Sequence, residues 1–269
     1  MNIIGDVHGE YDALVKLAKK MPDDEFISVG DMIDRGAKSK EVMDFFRKNG
    51  RAVLGNHEHQ LLDLWNKGDY YDCLIWGAFN GGFKTLTSMI SFVDDIKRVV
   101  SWNNEVLFTV KYGKMFVEEG ILDDMIEGFS KDICDLVKEM IPKDYIDWLQ
   151  SLPLYIDEDG VFISHAAKNP ELQLEDVCDL RYGPNNEYAI EDLPHKLKPK
   201  GSYNDNILWN TGNPRRMKDK YQVHGHKRQT SPWKYMDQFG EFGINIDTVP
   251  QMLTGIHLPS KKVYQEEIG

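Results

Sequence analysis

Along the first sixty residues, short apolar runs alternate with stretches whose apolar positions recur every three or four residues. Asn2–Ile4 reads as a strand that runs out at Gly5-Asp6. Tyr11–Lys20 carries apolar side chains at 11, 14, 15, 17 and 18, which is the spacing of one helix face. Phe26–Val29 reads as a second strand and is followed by GDMIDRG. Lys40–Lys48 reads as a second helix, with apolar positions 42, 43, 45 and 46. Ala52–Leu54 reads as a third strand and is followed by GNHE. This β-α-β-α-β rhythm predicts a largely parallel sheet with crossover helices. In such sheets ligands sit beyond the carboxyl ends of the strands.

The pattern then changes. Residues 61 to about 150 read as mostly helical and acidic, with Asp94-Asp95, Glu118-Glu119 and Asp123-Asp124 forming solvated faces. The expectation is a helical insertion, or cap, within a single domain spanning residues 1–269. Gly160–Ser164 reads as a strand ending in His165, and Tyr221–Val223 as another ending in HGH. Phe242–Asp247 and Leu253–His257 read as a closing β-hairpin. Residues 183–206, with Pro184, Pro194 and Pro199, read as an extended loop.

Composition narrows the classes. Lys and Arg number 32 against 44 Asp and Glu, a net charge of −12. That balance disfavours general adhesion to polynucleotides or anionic lipid, so no polynucleotide partner is expected. No apolar run approaches the ~18–20 residues of a membrane span. Cys73, Cys134 and Cys178 are scattered and form no CxxC pair, which argues against a disulfide framework or a thiolate zinc site. The first residues show no secretory signal. The expected location is the cytoplasm, or the host cytoplasm if the chain is phage-encoded.

The strand ends carry the chemistry. Asp6 and His8 are two residues apart; in extended chain, positions i and i+2 face one side. Asp31 follows the second strand, Asn56 the third, His165 the fourth, and His226 lies in the loop after the fifth. All six are hard or borderline ligands, a set that suits Mn²⁺, Fe or Zn²⁺ better than a soft metal. They suffice for two ions bridged by Asp31. Two divalent ions bring +4 against −2 from Asp6 and Asp31, so the site would be net positive and would draw a phosphate oxygen. It would also lower the pKa of a bridging water to yield hydroxide.

These segments, GDVHG (5–9), GDMIDRG (30–36), GNHE (55–58), SHA (164–166) and HGH (224–226), resemble those of the calcineurin-like metallophosphoesterases. NGGFKTLTS (80–88) and INIDT (244–248) add weaker similarity. The DRG after GD resembles the PPP branch, which includes lambda-type protein phosphatases and bacterial diadenosine tetraphosphatases. The resemblance implies an α/β (α+β) fold with a central β-sandwich flanked by helices. It implies Asp6, His8 and Asp31 as ligands of one metal, and Asp31, Asn56, His165 and His226 as ligands of the other. It implies Arg35 as a phosphate clamp, and His57 as general acid oriented by Asp34. A carboxylate partner raises an imidazole pKa and fixes its tautomer. Two divalent ions are expected, Mn²⁺ before Fe or Zn²⁺.

The chain departs from the family pattern at Ala167, Lys227 and Val249. A second phosphate-binding arginine does not follow Trp209 closely, which leaves Arg181, Arg215 and Arg216 as candidates, with Lys227 beside them. Lys168 and Arg228 also flank predicted site loops. His226 is favoured over His224 as ligand, and Glu58 is read as a loop support. Asn80 reads equally as a turn residue or a substrate contact. Trp209 and Tyr182 read as core or as stacking platforms. The expected activity is hydrolysis of phosphate monoesters, most of all of phosphoserine and phosphothreonine in proteins. The alternative is a dinucleoside polyphosphate or other phosphorylated small molecule, and a remote third is a non-catalytic metal-binding scaffold.

Overall fold

The computed structural model of the 269-residue chain describes residues 1–66, 76–77, 80–90, 135, 137–174, 178 and 206–269. The expected loop at 183–206, apart from its last residue, and most of the expected insertion at 61–150 lie outside them.

Two five-stranded sheets pack face to face. The first has the order β10-β9-β1-β2-β3, built from β1 (Asn2–Ile4), β2 (Phe26–Ser28), β3 (Gly50–Ala52), β9 (Met252–His257) and β10 (Lys262–Glu267). The second has the order β4-β5-β6-β8-β7, built from β4 (Tyr155–Glu158), β5 (Val161–Ser164), β6 (Tyr221–His224), β7 (Trp233–Asp237) and β8 (Gly240–Asn245). β1, β2 and β3 run parallel, as do β5, β6 and β8. The outer strands β4, β7, β9 and β10 pair antiparallel with their neighbours.

The side-chain alternation of a strand explains the layering. Ile3 and Ile27 point into the sandwich, where they meet Ile163, Val223, Ile244 and Ile256. Ile4, one residue on, points the other way, toward the helices. Phe162 likewise faces outward from the second sheet, against Ile207. Each aliphatic side chain fully buried in this way contributes roughly 1.5–3 kcal/mol.

The helices cover the outer face of the first sheet. Helix α1 (Tyr11–Lys20) buries Ala13, Leu14 and Leu17. It stops at Met21 because Pro22 biases the preceding residue to extended backbone. Helix α2 (Ser39–Asn49) buries Val42, Met43 and Phe46. Helices α3 (Asn56–Asn66), α4 (Gly82–Met89) and α5 (Lys143–Ser151) complete the layer through Leu61, Leu64, Phe83, Leu86, Ile146 and Leu149. The described helical parts of the 61–150 stretch therefore pack into the main core.

Two expectations change. The third strand forms at Gly50–Ala52, earlier than Ala52–Leu54, because Phe26 pairs with Gly50 and Ser28 with Ala52. Residues 242–247 and 253–257 do not form a hairpin. β8 joins the second sheet beside β6, whereas β9 crosses to the first sheet beside β1. Thr248–Gln251 makes the turn between sheets, with Thr248 Oγ1 donating to the Met252 carbonyl at 2.8 Å.

Candidate metal centre

All six parallel strands finish at one end of the sandwich, and each carries polar residues past its last ladder bond. β1 leads to Asp6 and His8, β2 to Asp31, β3 to Asn56 and His57. β5 leads to His165, β6 to His226 and β8 to Asp247. Asp6, His8, Asp31, Arg35, Asn56, His57, His226, Arg228 and Asp247 line one polar cleft there. His165 lies beneath it, fully buried.

The loops are held in unusual conformations. His8, Asp31, Asp34, Arg35 and His226 all have positive φ, between 49° and 71°. The Asp-x-His pair is thus not brought together by extended-chain alternation; His8 turns back in a left-handed conformation. Such backbone costs on the order of 1–3 kcal/mol per residue and persists only where its surroundings enforce it. Here Glu58 does much of the enforcing. Its carboxylate accepts the N–H groups of Asp31 (2.9 Å), Met32 (2.7 Å), Ile33 (3.2 Å) and Gly55 (3.1 Å). Gly225 completes the packing on the far side, since a Cβ there would overlap Asp6 Oδ1.

The donor set fits cations. Nδ1 of His8 faces the Ile33 carbonyl at 3.0 Å, and Nδ1 of His165 faces the Val29 carbonyl at 2.9 Å. Each Nδ1 therefore carries a proton, and each Nε2 presents a bare lone pair to the centre. His165 Nε2 lies 2.7 Å from Asn56 Oδ1, 3.2 Å from His226 Nδ1 and 3.4 Å from Asp31 Oδ1. Lone pairs converging at such distances repel unless a positive charge sits among them. Burial pushes the ring pKa values of His165 and His226 down, His226 to about 3, so protonation does not supply that charge.

The carboxylates tell the same story. Burial raises Asp6 well above its usual range, and Asp247 and Asp31 push it further. Burial, then Asp31, raises Asp247 to about 6. Asp31 goes the other way. Burial would raise it, but His57, through its ring charge and its backbone N–H on Oδ1, opposes burial, and Asp31 is held low. The trio His8, Asp31 and His57 and the trio Asp6, Asp31 and His165 each bring ligand atoms within 4.8 Å of one another, and Asp31 is common to both. These groups could hold two metal ions.

One member of the first trio, His57, also belongs to an imidazole–carboxylate pair. His57 Nδ1 donates to Asp34 Oδ2 at 2.7 Å. Burial lowers the His57 pKa, but Asp31 and Asp34 outweigh it and leave it raised. The Arg35 guanidinium donates to Nε2 of His8 (2.9 Å) and of His57 (3.0 Å), so its fork bridges the two imidazoles of the first trio.

The structure thus brings together Asp6, His8, Asp31, Asp34, Arg35, Asn56, His57, His165 and His226, but not Arg215 or Arg216. Arg215 pairs with Glu171 at 2.6 Å. Arg216 grips Asp237 through two 2.8 Å bonds, outside the cleft. The Lys227 side chain does not line the cleft; its carbonyl accepts Asn245 Nδ2 at 2.7 Å. Arg181 and Tyr182 lie outside the described residues. Lys168 is spent on the carbonyls of Asn169 and Leu172. Asn80 donates to Gln60 at 2.5 Å. Trp209 is half-buried, its ring edge-on to His226 at 6.2 Å. His224 stacks on Tyr235 away from the centre, with Nε2 3.1 Å from the Tyr235 hydroxyl.

Arg228, which the sequence places beside a predicted site loop, does line the cleft, whereas Asp247 escaped the sequence reading. Asp247 is the acid of INIDT. Reading β8 as a third parallel strand of the second sheet would have set it at a strand end like the others.

A family profile described as calcineurin-like phosphoesterase matches residues 2–228. A symmetrical bis(5'-nucleosyl)-tetraphosphatase of Actinobacillus pleuropneumoniae is 40% identical over 67 residues, 22% of this chain and 25% of that protein. The match thus spans about a quarter of the curated relative's length. A solved structure provisionally named a diadenosine tetraphosphatase superposes with a TM-score of 0.54 at 18% identity, covering 99% of this chain and 92% of the other. A point mutant of a cold-active protein tyrosine phosphatase superposes at 0.50 with 16% identity, covering 100% and 80%. At these identities the superpositions speak for the fold.

Proposed function

The chain belongs to the calcineurin-like phosphoesterase family, and we propose that it is a metal-dependent phosphoric ester hydrolase that cleaves phosphate monoesters of alcohols, most of all phosphoserine and phosphothreonine in proteins. The observation that carries this reading is the buried His57–Asp34 pair, whose imidazole also stands in one of the two candidate metal-holding groups. An alkoxide is a poor leaving group and needs a proton as it departs. A nucleotide leaving from a phosphoanhydride needs none. A histidine kept basic by two carboxylates is suited to the first case.

In this proposal Asp6, His8 and Asp31 hold one divalent ion, and Asp31, Asn56, His165 and His226 hold a second. Bound divalent ions, Mn²⁺ before Fe or Zn²⁺, polarise a phosphoryl oxygen and lower the pKa of water. Glu58 keeps the Asp31 loop in its left-handed form. Arg35, whose donor fork reaches both His8 and His57, turns it onto two phosphoryl oxygens. With Arg35 turned to the phosphate and Nε2 protonated in its place, His57 gives that proton to the departing oxygen, while Asp34 holds Nδ1 and stabilises the ring's charge.

A second reading has its own support. Arg228 adds a guanidinium to the cleft wall, suited to a second phosphate, and the similar curated proteins carry the name of tetraphosphatases. Metal-stripped protein restored with Mn²⁺ separates the two. It would be assayed on a phosphothreonine peptide, diadenosine tetraphosphate, p-nitrophenyl phosphate and bis-p-nitrophenyl phosphate. Faster turnover of the peptide is expected. Faster turnover of the dinucleotide would replace the first reading with the second, and inactivity on all four with two ions bound would favour a scaffold.

A further inference from the structure

The segment NGGFKTLTS has no part in the chemistry above, yet it touches the loop that does. Gly81 opens helix α4 at φ 83°, and a Cβ there would lie 2.8 Å from the Arg35 nitrogen. That close approach lets the helix lie directly on the Asp34-Arg35 turn. One turn in, Thr85 is fully buried, as are Asp34 and Ser39.

Thr85 Oγ1 donates to Asp34 Oδ1 at 2.6 Å and accepts the Asp34 N–H at 2.9 Å. Ser39 Oγ, at the start of α2, also accepts that N–H, at 3.1 Å. The two hydroxyls lie 3.2 Å apart. Thr85 has one proton, and the 2.6 Å contact to the carboxylate takes it in preference to the 3.2 Å contact to Ser39. Thr85 thus both donates to the Asp34 carboxylate and accepts from the Asp34 backbone. The other Asp34 oxygen, Oδ2, is the one that holds His57. With Oδ1 tied to Thr85 and Oδ2 to His57, the carboxylate plane cannot turn without breaking one of the two. Asp34 itself sits at φ 71°, a conformation an unbraced aspartate leaves readily.

We propose that Thr85 is a positioning residue for leaving-group protonation: its hydroxyl clamps Asp34 in the one orientation that aims His57 at the departing oxygen. The inference rests on His57 being the acid. Thr85 has no contact with the substrate cleft and acts through Asp34 alone.

Thr85→Val keeps the shape and removes the hydroxyl, while Thr85→Ser keeps the hydroxyl and removes a methyl. Each would be assayed on an alkyl phosphate and on p-nitrophenyl phosphate, beside wild type and His57→Asn. Misplacing a catalytic group costs up to about 100-fold. Thr85→Val is therefore expected to lower kcat on the alkyl phosphate about 10- to 100-fold with KM little changed. On the aryl phosphate it should cost no more than about threefold, because that leaving group needs little help from an acid. Thr85→Ser should restore most of the loss. In the His57→Asn background Thr85→Val should cost nothing further, since the two act as a unit. Equal losses on both substrates, a Thr85→Ser as impaired as Thr85→Val, or additive losses with His57→Asn would each overturn the proposal. If Thr85→Val fails to fold, Ser39→Ala weakens the same clamp; a selective loss on the alkyl phosphate supports it and an even loss overturns it. His57→Asn showing no preference between substrates would remove the acid reading itself, and the inference with it. A selective His57→Asn beside an unselective Thr85→Val would remove only the inference.

Discussion

Each sheet delivers three strand ends to the cleft, but the two halves are held in different ways. In the first half, β1, β2 and β3 are joined by α1 and α2, and the stretch from residue 6 to residue 57 supplies Asp6, His8, Asp31, Arg35, Asn56 and His57. Its loops carry most of the left-handed backbone and a dense set of braces, above all Glu58 and the Thr85–Ser39 clamp. In the second half, His165, His226 and Asp247 come from strands widely separated along the chain. Their supports are sparser: Val29 and Asn56 about His165, Asn56 beside His226, Asn245 under Asp247 and, on the neighbouring His224, Tyr235. The half proposed to move protons is the one locked by several hydrogen bonds. The half that offers mainly imidazole lone pairs relies on burial and on the charge those lone pairs attract. The difference fits the task, because a proton donor must be aimed, whereas a bound cation orients its own ligands.

The comparison is tested most severely at Asp31, which belongs to both candidate trios. Asp31→Asn should abolish turnover and reduce bound divalent metal from about two ions per chain to one or none, measured by elemental analysis of the Mn²⁺-loaded protein. Retention of both ions would show that the halves are not joined at this residue. The braces come next. Glu58→Gln replaces two acceptor oxygens with one and turns an amide N–H₂ toward backbone donors. Each donor left without an acceptor costs about 1–3 kcal/mol, so a fall of at least that size in unfolding free energy is expected in urea. An unchanged midpoint would mean that the first half does not depend on its brace. The smallest effect should come from the second half. Tyr235→Phe removes one neutral hydrogen bond to His224 and should cost about 0.5–1.5 kcal/mol of stability. Turnover should stay within about twofold of wild type. A larger loss of turnover would show that the second half needs aiming after all.

The same division decides what could be read in advance. α1 was legible to the residue, because a helix facing one sheet shows its burial as a 3.6-residue period within ten positions. The metal-type residues of the first half were legible because each follows a short strand that its own sequence defines. The hairpin expected at 242–257 failed because alternation marks β8 and β9 as strands without saying which sheet each joins. That choice depends on neighbours such as β6 and β1, far away in the chain. Asp247 was missed for the same reason. The second arginine was sought near Trp209, but Arg216 is satisfied by Asp237, a partner on β7 that no local pattern announces. Arg228 lines the cleft instead.

By itself, the sequence determined the residue types of the centre, the βαβ framework of the first half and the family to which the chain belongs. Those follow from short-range patterns and from ligand chemistry that does not depend on distance. Only the tertiary structure decided that six strand ends meet at one place, that His8 and Asp31 take left-handed backbone to face it, and that Thr85 lies against Asp34. Those facts depend on pairing between distant segments and on hydrogen-bond partners chosen after the sheets have packed.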